Sequence, residues 1–366
     1  MKISREKKII EKNIIITQVR EEYYEHSFYY INSNITKKEN ILAVFSKIKS
    51  WLDINNLTLL TGFVFGLDPG MECGPLHDIL PLVYLSDNMM LTYDIQLTCT
   101  DKKNMETMET GEKCNIRSMN HYDSRLHYIS GIQPNISSDG YAQTYDAFMT
   151  LKTCLEKNHI DYKGLARTWL YLDNILDWYD KFNLARSDFF NEEDIYNKLI
   201  PASTGIGLGN HCGSCLSLSA FAVSEKGRDR VVRVIESPMQ CPAQDYKSSF
   251  SRAVEIDMQK SKKLMISGTA SIDSEGHTLY PDSVIKQVDH TMKVVNAILE
   301  KDGYLWDNTV RGIAYFPDLE NARYFIDYCS KNNIDSSYFL LTAGTVCRKD
   351  LLFELELDAV KNVRSE

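Results

Sequence analysis

The chain has 366 residues, of which 43% are apolar and 25% are charged, and its formal net charge is −9. This balance is typical of a folded globular protein, and the acidic excess excludes nucleic-acid binding through clustered Lys and Arg. No apolar run reaches the roughly 18 to 20 residues that span a bilayer, so no membrane partner is predicted. A secretory signal is not predicted either, because no apolar core of about 7 to 15 residues follows the basic residues 1–10. The nine scattered cysteines therefore predict reduced thiols in a cytoplasmic protein.

The first 119 residues are predicted to form an N-terminal extension, because they match no other part of the chain. Within the extension, apolar and β-branched runs predict strands at 57–64, 79–85 and 89–97. Residues 98–117 are rich in Lys, Glu, Met and Asn and poor in apolar side chains, which predicts an exposed loop. The extension is expected to pack on the unit that follows it.

The rest of the chain repeats itself. The matching positions are Ile129-Ser130-Gly131 with Ile266-Ser267-Gly268, Arg167 with Arg311, and Tyr171 with Tyr315. Ser217 and Ser219 stand where the second copy has Glu354 and Glu356. We therefore predict a first, degenerate repeat at 120–238 and a second repeat at 239–366 that carries the active site, with the junction at 237–242.

Each repeat is predicted to run strand, turn, helix, strand, helix, strand, strand. In the second copy the predicted strands are 263–266, 310–315, 338–343 and 351–357, and the predicted helices are 283–300 and 319–331. The prediction of the longer helix rests on apolar residues that recur every three or four positions, at Val284, Val288, Met292, Val295 and Ile298. The fold class is therefore α/β (α+β), with tandem duplicated units that are mixed sheets covered by helices on one face. Such a unit buries its sheet against its twin or against further copies, which predicts a monomer or a homo-oligomer such as a trimer.

Glu354 is the strongest candidate for an acid catalyst. It lies between Phe353 and Leu355 in an apolar strand, where burial raises the pKa of a carboxyl. Strand alternation places Glu356 on the same face, and two neighbouring carboxylates push one of their pKa values upward. A general acid needs a raised pKa to hold its proton near neutral pH.

Three arginines are candidates for bidentate binding of a carboxylate ligand, namely Arg252, Arg311 and Arg348. Arg311 has a counterpart, Arg167, in the copy that lacks the acids. A residue kept in both copies serves the fold rather than the reaction, so we assign substrate binding to Arg252 and Arg348.

Neither a metal nor an organic cofactor is predicted. His211-Cys212 with Cys215 offers half of a zinc pattern, but a closed site needs four ligands and no second Cys/His pair stands at a suitable spacing. The spacing of Gly205, Gly207 and Gly209 is similar to that of a dinucleotide-binding loop. The strand, helix and acidic residue that such a loop requires do not accompany them. These glycines are predicted to turn the chain between strands.

Several segments of the chain carry a family resemblance. They include Arg167-Thr168-Trp169-Leu170-Tyr171-Leu172, Phe182-Asn183-Leu184-Ala185-Arg186, Pro201-Ala202-Ser203-Thr204-Gly205-Ile206-Gly207, Ser267-Gly268-Thr269-Ala270-Ser271-Ile272, and the stretch from Cys347-Arg348 to Glu354. In these segments the chain resembles the YjgF/RidA superfamily and, within it, the chorismatase branch. The resemblance implies a cofactor-free enzyme that hydrolyses the enolpyruvyl ether of chorismate and releases pyruvate with a dihydroxycyclohexadiene acid or 3-hydroxybenzoate.

The same resemblance assigns residues to the reaction. It implies that Glu354 protonates the methylene carbon of the enol ether and that Cys347, seven positions earlier, marks the hydroxybenzoate-forming subtype. The predicted catalytic residues are therefore Glu354 and Cys347. The predicted substrate-binding residues are Arg252, Arg348, Tyr246, Gly268, Thr269 and Tyr315.

Two positions depart from the family pattern. Phe316 follows Tyr315 where chorismatases typically carry an arginine, and Met239 stands where they also tend to have an arginine. The two changes predict a substrate that is less anionic than chorismate. Two alternatives stay open: an imine or enamine deaminase of RidA type with Arg348 on the substrate carboxylate, and a non-catalytic protein that binds small molecules. Under the enzyme hypotheses the partner is a small carboxylic acid.

Overall fold

The computed structural model describes residues 1–11, 14–23, 26–79, 82–87, 90–110, 114–135, 139–225 and 231–363. These residues form three mixed sheets with helices packed on them. As far as the chain is described, none of its helices combines the length and apolarity that a bilayer crossing requires.

The elements follow one another in three groups. The first group is β1 Lys2–Glu11, β2 Ile14–Glu22, β3 Ser27–Thr36, α1 Ile41–Ile54, β4 Leu57–Leu67, α2 Gly74–Ile79, β5 Val83–Ser86 and β6 Thr92–Asp101. The second group is β7 Met105–Thr110, β8 Asn115–His121, β9 Ser124–Ile132, α3 Gly140–Lys157, β10 Leu165–Leu172, α4 Ile175–Glu192, β11 Ala202–Gly207, β12 Gly209–Asn210 and β13 Leu216–Glu225. The third group is β14 Val232–Ile235, β15 Ala253–Asp257, β16 Ser261–Ala270, α5 Val284–Lys301, β17 Thr309–Phe316, α6 Ala322–Lys331, β18 Phe339–Ala343 and β19 Glu354–Asn362.

All three sheets have the same strand order. The orders are β1-β2-β3-β6-β4-β5, β7-β8-β9-β13-β10-β11 and β14-β15-β16-β19-β17-β18, and β12 extends the first sheet beside β5. The parallel pair occupies the same place in each sheet, as β4–β5, β10–β11 and β17–β18. The predicted N-terminal extension therefore contains a third copy of the repeated unit, which internal sequence comparison did not reveal.

The three units meet around a shared aromatic centre. Each sheet contacts the other two, and one aromatic residue from each central strand lies where they converge. The ring of Phe65 lies 5.8 Å from that of Tyr171 and 6.2 Å from that of Tyr315, and the two tyrosine hydroxyl oxygens are 3.2 Å apart. These three rings occupy equivalent positions, so the units are arranged with approximate threefold symmetry.

Strand register identifies the acid position in each unit. Phe65 pairs with Asp94, Tyr171 with Ser217, and Tyr315 with Glu354. The correspondence of Ser217 with Glu354 that the sequence predicts is thus confirmed, and Asp94 is the counterpart in the first unit. Each unit therefore retains a polar side chain at this position, and two of the three are acids.

The helices cover the outer face of each sheet. α5 buries Val288, Met292, Val295 and Ile298, which confirms the longer helix predicted from their spacing. α6 begins at Ala322, after a short 3₁₀ turn at Leu319–Asn321. The predicted strands of the second repeat correspond to β16, β17, β18 and β19.

Several predicted elements are wrong in detail. Residues 98–117 are not an exposed loop: they contain the end of β6, a 3₁₀ turn, β7 and the start of β8, apart from 111–113, which lie outside the described residues. A polar residue of this stretch is buried and hydrogen bonded, since Arg117 is 4% exposed and its Nη1 donates to Leu60 O (3.4 Å).

Three further expectations also change. The predicted strand at 79–85 begins only at Val83 because α2 runs to Ile79, and residues 80, 81 and 89 lie outside the described residues. The predicted junction at 237–242 falls inside the third sheet, since β14 pairs with β15. The expectation of reduced thiols fails for Cys114 and Cys154, which form a disulfide.

Candidate functional site

A cavity of about 360 Å³ lies between the second and third units. α4 and β11 line it from one side. The other side is lined by β16, by the start of β19, and by the segments that precede β15 and β19. Six of the eight predicted site residues line this cavity, namely Glu354, Cys347, Arg252, Arg348, Tyr246 and Gly268. The fold therefore brings these six predicted residues together around one cavity.

Glu354 is the buried acid of this cavity. It is only 5% exposed, and its pKa is raised from an ordinary value of 4.5 to about 8. Burial is the largest cause and the negative charge of Glu356 adds to the rise, whereas Arg167 and Arg252 act in the opposite direction. Glu354 consequently holds its proton at neutral pH, as general acid catalysis requires.

Gly268 makes room for that carboxyl. A Cβ atom built on Gly268 would overlap Glu354 Oε1. The Gly268 N–H donates to Thr204 Oγ1 at 3.0 Å, which fixes the glycine against β11. Any larger residue at this position would displace the acid.

Glu356 has the opposite environment. Burial raises its pKa, but Arg311 and Arg167 lower it by more, and the net shift is downward. Arg167 Nη2 donates to Glu356 Oε2 and Arg311 Nη2 donates to Oε1, both at 2.7 Å, and Trp169 Nε1 donates to Oε1 at 3.0 Å. The predicted structural role of Arg311 is therefore supported, since Arg311 ties β17 to β19 within a buried ion network. Because the Glu356 carboxylate stays ionised, its negative charge favours the protonated form of Glu354.

Three guanidinium groups line the cavity beside Glu354. Arg252 Nε and Nη2 donate to Cys241 O at 3.0 and 2.9 Å, and Arg348 Nη1 donates to Gly276 O at 2.5 Å. The Tyr246 ring lies below both, with its centroid 5.2 Å from Arg252 Cζ and 5.4 Å from Arg348 Cζ. A guanidinium has five N–H donors, so each of these arginines keeps donors for a ligand.

Arg186 is the third of these cations, and the sequence analysis assigned it no role. It is 3% exposed on α4. Its Nη2 donates to Asn183 Oδ1 at 2.7 Å and to Ser248 Oγ at 3.4 Å, while Nε has no hydrogen-bond partner among the described residues. The signal in the sequence was an arginine on the apolar face of a helix, four residues after Phe182, because such a buried cation needs an anionic partner.

Cys347 lines the cavity as a neutral thiol. Burial and the nearby Glu354 carboxyl raise its pKa to about 12. Burial likewise raises the pKa of the Tyr246 phenol to about 12. Neither group ionises near neutral pH, and a thiol in this state is a poor nucleophile.

Thr269 and Tyr315 are not among the residues that line the cavity. Thr269 Oγ1 donates to Ser267 O at 2.8 Å, and the Tyr315 hydroxyl lies against Tyr171 at the centre of the three units. Their predicted contacts with substrate stay predictions.

The two departures from the family pattern lie outside the cavity. Phe316 packs against Phe353, with ring centroids 5.0 Å apart, in the apolar layer between the third sheet and its helices. Met239 is 37% exposed and is also absent from the cavity lining. The interpretation of these positions as lost substrate cations is therefore wrong.

Comparisons with known proteins agree with this geometry. Residues 103–220 match the family model described as "Chorismatase FkbO/Hyg5-like, N-terminal". A chorismatase of Streptomyces hygroscopicus is 26% identical over 253 residues, which cover 63% of this chain and 71% of that protein.

The likeness extends to solved structures. A crystal structure of a chorismatase superposes with a TM-score of 0.65 at 17% identity and covers 82% of this chain and 93% of its own. A member of the YjgF/YER057c/UK114 family from Mycobacterium tuberculosis is 18% identical, covers 35% of this chain and 98% of its own, and has a TM-score of 0.28. The chain is thus chorismatase-like in sequence and in fold.

Proposed function

We propose that this chorismatase-like chain cleaves the enolpyruvyl ether of chorismate, or of a closely related enol-ether carboxylic acid, without a cofactor. The observation that carries the proposal is the buried carboxyl of Glu354, which holds its proton at neutral pH in a cavity lined by three arginines. The cavity volume of about 360 Å³ lies within the range of roughly 300–1,000 Å³ usual for small-ligand sites.

The arginines match a ligand with two carboxylates. Arg186, Arg252 and Arg348 bring three positive charges to one cavity, and charge-assisted hydrogen bonds from guanidinium to carboxylate are among the strongest in proteins. Because Phe316 lies outside the cavity, the absence of an arginine there does not weaken the case for a dianionic substrate. Arg186 supplies a cation that the sequence analysis had overlooked.

Glu354 starts the reaction by donating its proton to the methylene carbon of the enol ether. A cation forms at the carbon that bears the ether oxygen, and the arginines hold the adjacent carboxylate. In the hydrolytic branch of the reaction, a water molecule adds to this carbon and returns a proton to the Glu354 carboxylate. The resulting hemiketal breaks its bond to the ring oxygen while the proton of its hydroxyl passes to that oxygen, and pyruvate and a dihydroxycyclohexadiene acid leave.

Cys347 bears on which ring product forms. Its thiol is neutral, so it acts as a polarisable wall of the cavity and not as a nucleophile. By the family resemblance we assign the chain to the hydroxybenzoate-forming type, in which a ring hydroxyl traps the cation in place of water. Chromatography of the ring product distinguishes a hydroxybenzoate from a dihydroxycyclohexadiene acid.

The test is pyruvate release from chorismate by the purified chain, with Glu354→Gln and the exposed control Glu300→Gln beside it. We expect release by the wild type and by Glu300→Gln, and a loss of about 10²- to 10⁴-fold in Glu354→Gln. Ammonia release from imines without pyruvate release would favour the deaminase alternative. Tight binding of chorismate without turnover would favour a binding protein.

A further inference from the structure

A second cavity, of about 400 Å³, adjoins the cavity that contains Glu354. It is lined by residues of the segment 196–200, which precedes β11, by the end of β14, and by parts of the segment 236–252 that joins β14 to β15. Phe250 and Arg252 line both cavities and therefore lie between them. The volume of the second cavity is within the range of roughly 300–1,000 Å³ that is usual for small-ligand sites.

Much of the wall of the second cavity is apolar. The side chains that form this apolar wall are Leu199, Ile200, Val234, Ile235 and Phe250. Leu199 and Ile235 are buried, whereas Val234 is 43% exposed and can be reached from solvent. A ligand that enters here gains free energy by burying a hydrocarbon ring or chain against these side chains.

Gln240 provides the second cavity with a buried hydrogen-bond acceptor. It is 5% exposed, and its Nε2 donates to Ala270 O at 2.9 Å and to Ile272 O at 3.3 Å, which fixes the orientation of the amide. Its Oε1 is buried and has no hydrogen-bond partner among the described residues. A buried oxygen without a partner is unfavourable, so this atom favours a ligand that brings an O–H or N–H group.

Arg252 provides the second cavity with a buried positive charge. It is 5% exposed, and its Nε and Nη2 donate to the backbone oxygen of Cys241, which is uncharged and does not neutralise the guanidinium. Lys198 and Glu236 also line this cavity, but both are exposed and their charges are opposite in sign. The charge of Arg252 therefore favours a ligand that carries an anionic group.

We propose that the second cavity binds a small cyclic hydroxy acid. The carboxylate accepts hydrogen bonds from Arg252, the hydroxyl donates to Gln240 Oε1, and the ring lies against the apolar wall. The ring product of the proposed reaction, a hydroxybenzoate or a dihydroxycyclohexadiene acid, has all three of these parts. Its assignment as the natural ligand rests on the proposed function, whereas the binding itself requires no turnover.

The test measures the binding of 3-hydroxybenzoate and of benzoate to the purified full-length chain by isothermal titration calorimetry. We expect 3-hydroxybenzoate to bind about tenfold more tightly, because benzoate leaves Gln240 Oε1 unpaired.

Two variants locate the ligand. Val234→Trp, which fills the second cavity, should weaken the binding of 3-hydroxybenzoate about tenfold or more. The control Val363→Trp places the same side chain at an exposed valine that does not line the cavity, and it should bind as the wild type does. Arg186→Gln alters a residue that lines the Glu354 cavity but not the second one, so it should also retain this binding.

Three results would overturn the proposal. The first is a wild-type chain that binds no 3-hydroxybenzoate at millimolar concentration. The second is binding that survives Val234→Trp undiminished or disappears in Arg186→Gln, because the ligand then lies in the Glu354 cavity. The third is benzoate that binds as tightly as 3-hydroxybenzoate, because Gln240 then makes no contact with the hydroxyl.

If Val234→Trp fails to fold, nuclear Overhauser contacts from the ring protons of 3-hydroxybenzoate to the methyl groups of Ile200 and Val234 in the wild type decide the location. Their absence would overturn the proposal. Pyruvate release is measured separately. A chain that binds 3-hydroxybenzoate in the second cavity but releases no pyruvate contradicts the proposed function alone, and the reverse result contradicts the second site alone.

Discussion

The proposed acid role of Glu354 predicts how pyruvate release should depend on pH. With a pKa of about 8, this carboxyl is protonated in about 90% of molecules at pH 7 and in about 10% at pH 9. The rate should therefore fall about tenfold over these two pH units. Cys347 and Tyr246, whose pKa values lie near 12, do not contribute to the fall.

The measurement is kcat/KM from pH 6 to pH 10, with pyruvate quantified in quenched samples so that no coupling enzyme imposes its own profile. A rate that stays level to pH 10, or one that already halves near pH 5, would refute the reasoning. The first result means that Glu354 is not the proton donor, and the second means that its environment does not favour the protonated form.

The same shift predicts a stability effect of known sign. Because the folded-state pKa of Glu354 is raised from 4.5 to about 8, the folded chain binds more protons than the unfolded chain between these values, and stability falls as pH rises through this window. Glu354→Gln should remove this part of the pH dependence. Thermal melts of both proteins at pH 5.5 and pH 8.5 check it, and equal slopes in the two proteins would contradict it.

Three further substitutions test other parts of the site. Glu356→Gln should destabilise the fold by about 3–5 kcal/mol, because it removes the carboxylate that two buried arginines share; a loss below about 1 kcal/mol in urea unfolding would contradict this. Gly268→Ala should lower kcat about 10²-fold by displacing the Glu354 carboxyl, whereas Gly74→Ala, which has open space around it, should not, and equal rates in the two would count against the steric argument. Arg186→Gln should raise KM about 10- to 100-fold through loss of a charge-assisted hydrogen bond, with kcat changed less than about threefold. The exposed Arg323→Gln is its control, and an unchanged KM in Arg186→Gln would remove this arginine from the binding site.

Local patterns in the sequence carried the prediction of the third unit. The spacing of apolar residues defined α5, and strand alternation placed Glu354 beside Glu356, because both periodicities depend on backbone geometry alone. Arg167 is retained in the first repeat, which is the second unit of the fold, and this correctly indicated a structural role for Arg311. These inferences needed no knowledge of how the units meet.

Features that depend on contacts between units were missed. The first unit keeps the strand order of the others but not their residues, so sequence identity could not reveal it, and Asp94 went unnoticed as the counterpart of Glu354. Arg186 was overlooked because its place in the cavity depends on residues of the third unit, such as Ser248, that approach α4. Phe316 was misread, although strand alternation alone sends the side chain after Tyr315 to the opposite face from Glu354.

The approximate threefold arrangement has a consequence for how this molecule can change over evolutionary time. In a ring of three identical chains, any substitution appears at all three boundaries at once. Here the three boundaries are encoded separately, so one of them can house an acid among cations while the other two carry different residues. A single polypeptide can thus give different side chains, and so different functions, to equivalent positions that exact symmetry would force to be identical.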